Sequence, residues 1–246
     1  MMKLSPFNRE SMPPSDQKLT GRQLKKIVFE LLQLSDLKSC IEQISRFPFR
    51  QVVNPLFSFL YSLDDPIKWR AVSVMGAVIA RSAEENMESA RIVMRRFIWN
   101  LNDESGGIGW GSPESMGEAM ALNLALADQY ASILLSYINP DGNYLEHEDL
   151  QPGVLWGVGR LAHSRPGHAR DALPFLQPYL ESDRPVLRGM AAWIAGALPF
   201  DDTISYLNPL KNDTARFKLY QEGVLEEVLI CDLVAKLVER AGTSFL

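Results

Sequence analysis

Along most of the chain, apolar residues recur every three or four positions, the spacing that lines one face of an α-helix. Leu24, Ile27, Val28, Leu31 and Leu32 set the first such face, and Thr20 ahead of it has the side chain of a helix N-cap. A shorter helix is predicted over about 35–45, using Leu37, Ile41 and Ile44. Beyond Pro48 the helices come in pairs. Leu56, Phe57, Phe59, Leu60 and Leu63 form one apolar face, Asp64-Asp65-Pro66 breaks it, and a second helix runs through Trp69, Val72, Val74, Met75, Val78 and Ile79. Two helices cannot bury that much apolar surface alone, so neighbours must stack on them.

The pairing returns along the chain. A helix is predicted over about 87–101 with Ile92, Val93, Phe97 and Ile98 inward. Another carries Ala131, Ile133, Leu134 and Ile138, and a long turn over 140–153 leads to a helix from about Val154 to His163. Phe175, Leu176, Tyr179 and Leu180 precede Asp183-Arg184-Pro185, after which Leu187, Ala191, Ala192, Ile194 and Leu198 form the next face. The last unit is predicted as a helix near 203–210 and one long helix over about 214–241, whose apolar face is Val224, Leu225, Val228, Leu229, Leu233, Leu237 and Val238. Glu222, Glu226, Asp232, Lys236 and Glu239 on its other side suit an element that closes a stack. Residues 1–17, with Pro6, Pro13 and Pro14 and no sustained period, read as a tail or arm, leaving 18–246 as a single helical repeat domain.

Particular residues repeat as well as the period. Asp65 precedes Arg70 by the interval that separates Asp183 from Arg188, and Asp213 with Lys218 repeats it in weaker form. With the stretch R-G-M-A-A-W-I-A-G from Arg188 to Gly196, this resembles the HEAT family, including the short variety named for phycobilin lyases. The likeness is strongest over 174–199 and can be followed from about Pro55 onward. It implies an all-α, right-handed α-α superhelix with a concave and a convex side. It also implies that Arg70 and Arg188 are the arginines that bind the turn aspartate.

The least ordinary stretch is Asn102 to Glu118, where Gly106, Gly107, Gly109 and Gly111 surround Trp110 just before a helix start. Ser112 is the expected N-cap, with Pro113 and Glu114 in the first turn. The stretch follows a helix rather than a strand, lacks a Gly-Lys-Ser or Gly-Lys-Thr ending, and holds Asp103, Glu104 and Glu114, all of which argue against phosphate binding. Two readings stay open: a tight junction between helices, or a ligand or peptide pocket floored by Trp110. Trp156 and Arg160, four apart on one helix with Gly157 and Gly159 between them, are the second groove candidates. His147-Glu148 stands without the companions a metal site needs.

Charge and cysteine usage narrow the classes. The 246 residues are 46% hydrophobic and 22% charged, ordinary for a globular chain, and the net charge of −5 gives no general attraction to nucleic acid or anionic membrane. Cys40 and Cys231 lie far apart among apolar neighbours and read as inert thiols. With no signal-peptide pattern and no apolar run of membrane length, a reducing cytoplasm is the expected compartment. No cofactor and no metal are implied. The expected function is non-catalytic binding of a protein or peptide on the concave face, around Gly106 to Glu118 and Trp156 to Arg160. The alternative, of another class, is an enzyme acting on a nucleobase or small ligand, with Glu114 or Glu118 as acid or base and Trp110 as a stacking surface. That would resemble the HEAT-like DNA glycosylases at the level of fold.

Overall fold

The computed structural model describes residues 19–103 and 109–243. Its first helix, α1 (Gly21–Leu32), begins at a reciprocal cap: the Gln23 amide donates to the Thr20 hydroxyl at 3.3 Å, and the Thr20 amide donates to the Gln23 side chain at 2.9 Å. Asp36 caps α2 (Leu37–Ile44), accepting from the Ser39 amide at 2.8 Å. There follow α3 (Phe49–Leu60), α4 (Asp65–Glu85) and α5 (Met87–Asn102). After the glycine-rich stretch come α6 (Ser112–Leu122), α7 (Leu124–Ser136) and α8 (Gln151–Ser164). Short turns α9 (Pro166–Ala169) and α10 (Gln177–Leu180) flank a 3₁₀ segment, and lead to α11 (Pro185–Ala195) and α12 (Phe200–Leu207). A hairpin of β1 (Arg216–Gln221) and β2 (Val224–Leu229) precedes α13 (Ile230–Thr243).

This is the helical-repeat stack that the HEAT resemblance implies. α4, α6, α8, α11 and α13 pack side by side in that order as one layer, while α3, α5, α7 and α10 pack behind it. Buried residues from Leu24 to Leu237 form one continuous core. The layer is tightest between α6 and α8. A Cβ added at Gly117 would lie 2.4 Å from the Gly157 carbonyl oxygen, and one added at Gly157 would lie 2.4 Å from that of Pro113. Only glycine permits so close a crossing.

Four expectations need correction. The long helix over 214–241 does not form: its first part is the hairpin, in which Gln221 pairs with Val224 across a two-residue turn. Glu222 and Gly223 both have positive φ, 50° and 85°, the backbone hand that matches a hairpin's twist. Phe217 and Leu219 alternate, but Val224, Leu225, Val228 and Leu229 fall at helical spacing, so the apolar pattern hides the second strand. Leu63 and Ile92, read as inward, are exposed, Leu63 because it falls in the turn beyond α3 and Ile92 because α5 turns it outward. The N-cap of α6 is Gly111, at φ 72°, rather than Ser112, which opens the helix with Pro113 in its first turn. Arg70 binds no turn aspartate among the described residues, whereas Arg188 binds that of the next unit rather than Asp183. Arg70 donates to the Ser35 carbonyl at 2.9 Å, and Arg188 reaches Asp213 of the following unit at 2.7 Å.

The expected tail over 1–17 and the residues Glu104, Gly106 and Gly107 lie outside the described residues. No helix among the described residues is long and apolar enough to cross a membrane.

Candidate functional site

The hairpin crosses the free face of the α4–α6–α8–α11 layer. Adjacent residues of a strand point to opposite faces, yet Leu219 and Tyr220 are both buried, so β1 is covered on both sides. Tyr220 is its anchor. Its ring stacks on Trp69 of α4 at 4.9 Å and 15°, and lies 6.0 Å from Trp156 of α8. The Tyr220 hydroxyl and the Ser73 hydroxyl share a hydrogen bond of 2.8 Å, and the Trp156 indole N–H donates to the Tyr220 carbonyl at 2.9 Å. Burial pushes the Tyr220 phenol up from its ordinary value, with the Ser73 hydrogen bond opposing. Lys218 adds an ion pair to Asp65 at 2.7 Å. At the tip, Gly223 comes against Leu37 of α2, while Phe217 packs on Gly189 of α11. The hairpin therefore spans from α11 to α2.

What the hairpin leaves open is a cleft of about 700 Å³ between itself and the helices. Trp156 and Trp193 line it from α8 and α11, and His163 stacks on Trp193 at 4.7 Å and 24°. The Trp193 indole N–H is buried without a partner among the described residues. Arg160 of α8 grips Glu118 of α6 with two donors, Nε at 2.5 Å and Nη2 at 3.3 Å, in the fork geometry that fixes both groups. Gln221, Glu222 and Glu226 form the hairpin's polar rim.

A second cavity, of about 190 Å³, lies under the other side of the hairpin. Trp69, Trp110, Glu114, Asp149 and Lys68 line it, with Asp65 and Lys218 at its edge. Glu114 is only 3% exposed; one carboxylate oxygen accepts from Lys68 at 3.1 Å and the other has no partner among the described residues. Lys68 lies 5.3 Å from the Trp69 ring and 6.0 Å from the Trp110 ring, a cation held over aromatic faces.

The sequence-level candidates thus divide between two places. Trp110 and Glu114 share the smaller cavity, and Glu118, Trp156 and Arg160 line the larger one. Trp110 with Glu118 is not brought together as a pair. Gly109 packs against Leu150, and Gly111 supplies the left-handed cap over Leu60, so the described part of the glycine-rich stretch acts as a junction. Trp156 is 1% exposed, covered by Tyr220, and so is a wall beneath the hairpin rather than a surface anchor. Tyr220 and Ser73 carry no signal in the sequence that marks them for the site. The one local signal for the hairpin is Glu222-Gly223 following the alternation of Phe217 and Leu219.

No family model matches the chain. A protein of Archaeoglobus fulgidus described only as uncharacterized is 28% identical over 119 residues, 48% of this chain. The match spans a little over half of that relative, 56% of its length. Among solved structures, an engineered protein matches with a TM-score of 0.49 and 14% identity, covering 89% of this chain and 94% of its own. The CpcE–CpcF complex of phycocyanin lyase from Nostoc sp. PCC7120 matches with a TM-score of 0.38 and 18% identity, over 87% of this chain and 75% of the other. An archaeal HEAT-like repeats protein from Thermococcus onnurineus NA1 matches with a TM-score of 0.34 and 11% identity, over 93% and 99%. At these scores none of the likenesses adds to what the helices themselves establish.

Proposed function

We propose that this chain is a non-catalytic binding module that receives a protein or peptide segment in the cleft between the hairpin and the α8–α11 part of the helical layer. The observation that carries the reading is the cleft itself. Its volume of about 700 Å³ falls in the range of built ligand sites, about 300–1,000 Å³. An aromatic floor, an unpartnered indole donor and a charged fork offer both apolar area and directed polar contacts, the mixture that anchors recognition. The walls are held by packed helices and by the Tyr220 anchor, so little ordering remains to oppose association. Glu114 and Glu118 are each held by a cation, Lys68 and Arg160, which supports binding rather than proton transfer.

Gln221→Trp tests this reading, because Gln221 is an exposed rim residue and a large ring there obstructs the cleft. A partner retained from lysate by the native protein and lost by the variant, with unchanged circular dichroism, is the expected result. Equal retention by both would remove the cleft from consideration.

A further inference from the structure

We propose that the smaller cavity is a separate binding pocket for a cationic nitrogen group, an alkylammonium or guanidinium, and that Glu114 and Asp149 receive it. This does not rest on the cleft being a peptide site. The first observation is the buried Glu114 carboxylate, 4% exposed at its side chain, with one oxygen on Lys68 and the other unpartnered among the described residues. A buried acceptor left unpaired costs free energy that a donor from a ligand would recover. Gly153, in the first turn of α8, leaves the carboxylate its room: a Cβ there would lie 2.7 Å from the carboxylate carbon.

The charge balance sets the sign of the ligand. Of the lining ions, Asp65 is matched by Lys218 at 2.7 Å and the near oxygen of Glu114 by Lys68 at 3.1 Å. Asp149, exposed at the cavity's edge, makes no ion pair with any described residue, so the uncompensated charge is negative. The flanking Trp69 and Trp110 rings already hold the Lys68 cation within 6.0 Å, so the cavity wall is one that accommodates positive charge. Repulsion from Lys68 opposes entry, but its charge is already spent on Glu114. The cavity of about 190 Å³ admits one side-chain-sized group and no more. A guanidinium, with donors fixed in a fork, matches a carboxylate better than a single ammonium does.

Calorimetric titration of the full chain with agmatine, and separately with a blocked Gly-Arg-Gly peptide, tests the proposal and separates a free amine from an arginine side chain as the source. Saturable binding of either probe is expected. It should weaken about tenfold in Glu114→Gln, which keeps the shape, and several-fold in Asp149→Asn, which touches only an exposed residue. Absence of saturation by both probes up to about 10 mM, a very weak affinity on the usual scale, overturns the pocket. Binding of equal strength in the native protein and in Asp149→Asn overturns the charge assignment, whether or not the Glu114 variant folds. Agmatine binding that survives Gln221→Trp would keep this pocket distinct from the cleft.

Discussion

Tyr220 lies flat on Trp69, their ring centroids 4.9 Å apart and their planes 15° from parallel. The contact ties the C-terminal hairpin to α4, near the other end of the stack, and makes the free face of the helical layer an enclosed one. The two cavities exist because the hairpin bridges that face without filling it.

Tyr220 is accordingly a stability determinant as well as a wall of the site. Tyr220→Ala removes both aromatic contacts and is expected to cost about 3–5 kcal/mol. Tyr220→Phe keeps the ring and leaves the buried Ser73 hydroxyl without its partner, a loss of about 1–2 kcal/mol. Urea denaturation monitored by circular dichroism measures both, and a Phe variant as unstable as the Ala variant would contradict this ranking.

Gly157 makes the crossing of α6 and α8 possible. Alanine is the better helix former by about 1 kcal/mol, yet its Cβ would meet the Pro113 carbonyl at 2.4 Å. Gly157→Ala is therefore expected to destabilise by about 1–3 kcal/mol or more, through overpacking against backbone that has no rotamer to change. A raised melting temperature would show that the helices separate freely.

Most of the helices were legible because each carries a one-sided apolar face, and the first also carries a readable cap in Thr20. The hairpin was not, since Val224, Leu225, Val228 and Leu229 fall at helical spacing. Only packing against Trp69, Trp156 and Gly189 decides for the strand. At the site, the nearness of Trp110 to Glu114 follows from their spacing at the start of one helix. The Glu118–Arg160 fork does not, because it depends on how closely α6 and α8 approach, which the glycines allow but do not announce. The same holds for Trp156: its helix was read, but its covering came from a segment assigned to another element.

Asp213 gives the chain part of its acid sensitivity. The Arg188 guanidinium beside it, aided by the Ala215 amide, holds its carboxyl below the usual range against the opposing effect of burial. In the unfolded chain the value is about 3.9, so the folded state binds fewer protons and the stabilisation is complete above about pH 5 and lost as pH falls through the folded value. Asp213→Asn should be less stable than the native protein near about pH 6 and should lose less on acidification. Parallel curves of urea midpoint against pH would contradict this.

The two cysteines should differ in reactivity. Burial pushes the Cys40 thiol up to about 11, and its side chain is inaccessible, whereas Cys231 is half-buried. At neutral pH an aromatic disulfide reagent is expected to titrate Cys231 in the folded protein and Cys40 only after denaturation. Rapid labelling of both would mean that α2 opens easily.

The most direct measurement is photo-crosslinking from within the cleft. A benzophenone amino acid placed at Glu226, on the hairpin's rim, is compared with one at Leu63, which is fully exposed in a turn. A discrete protein or peptide adduct is expected from Glu226 and none of the same mass from Leu63. The same adduct from both positions, or from Leu63 alone, would contradict the placement of function beneath the hairpin.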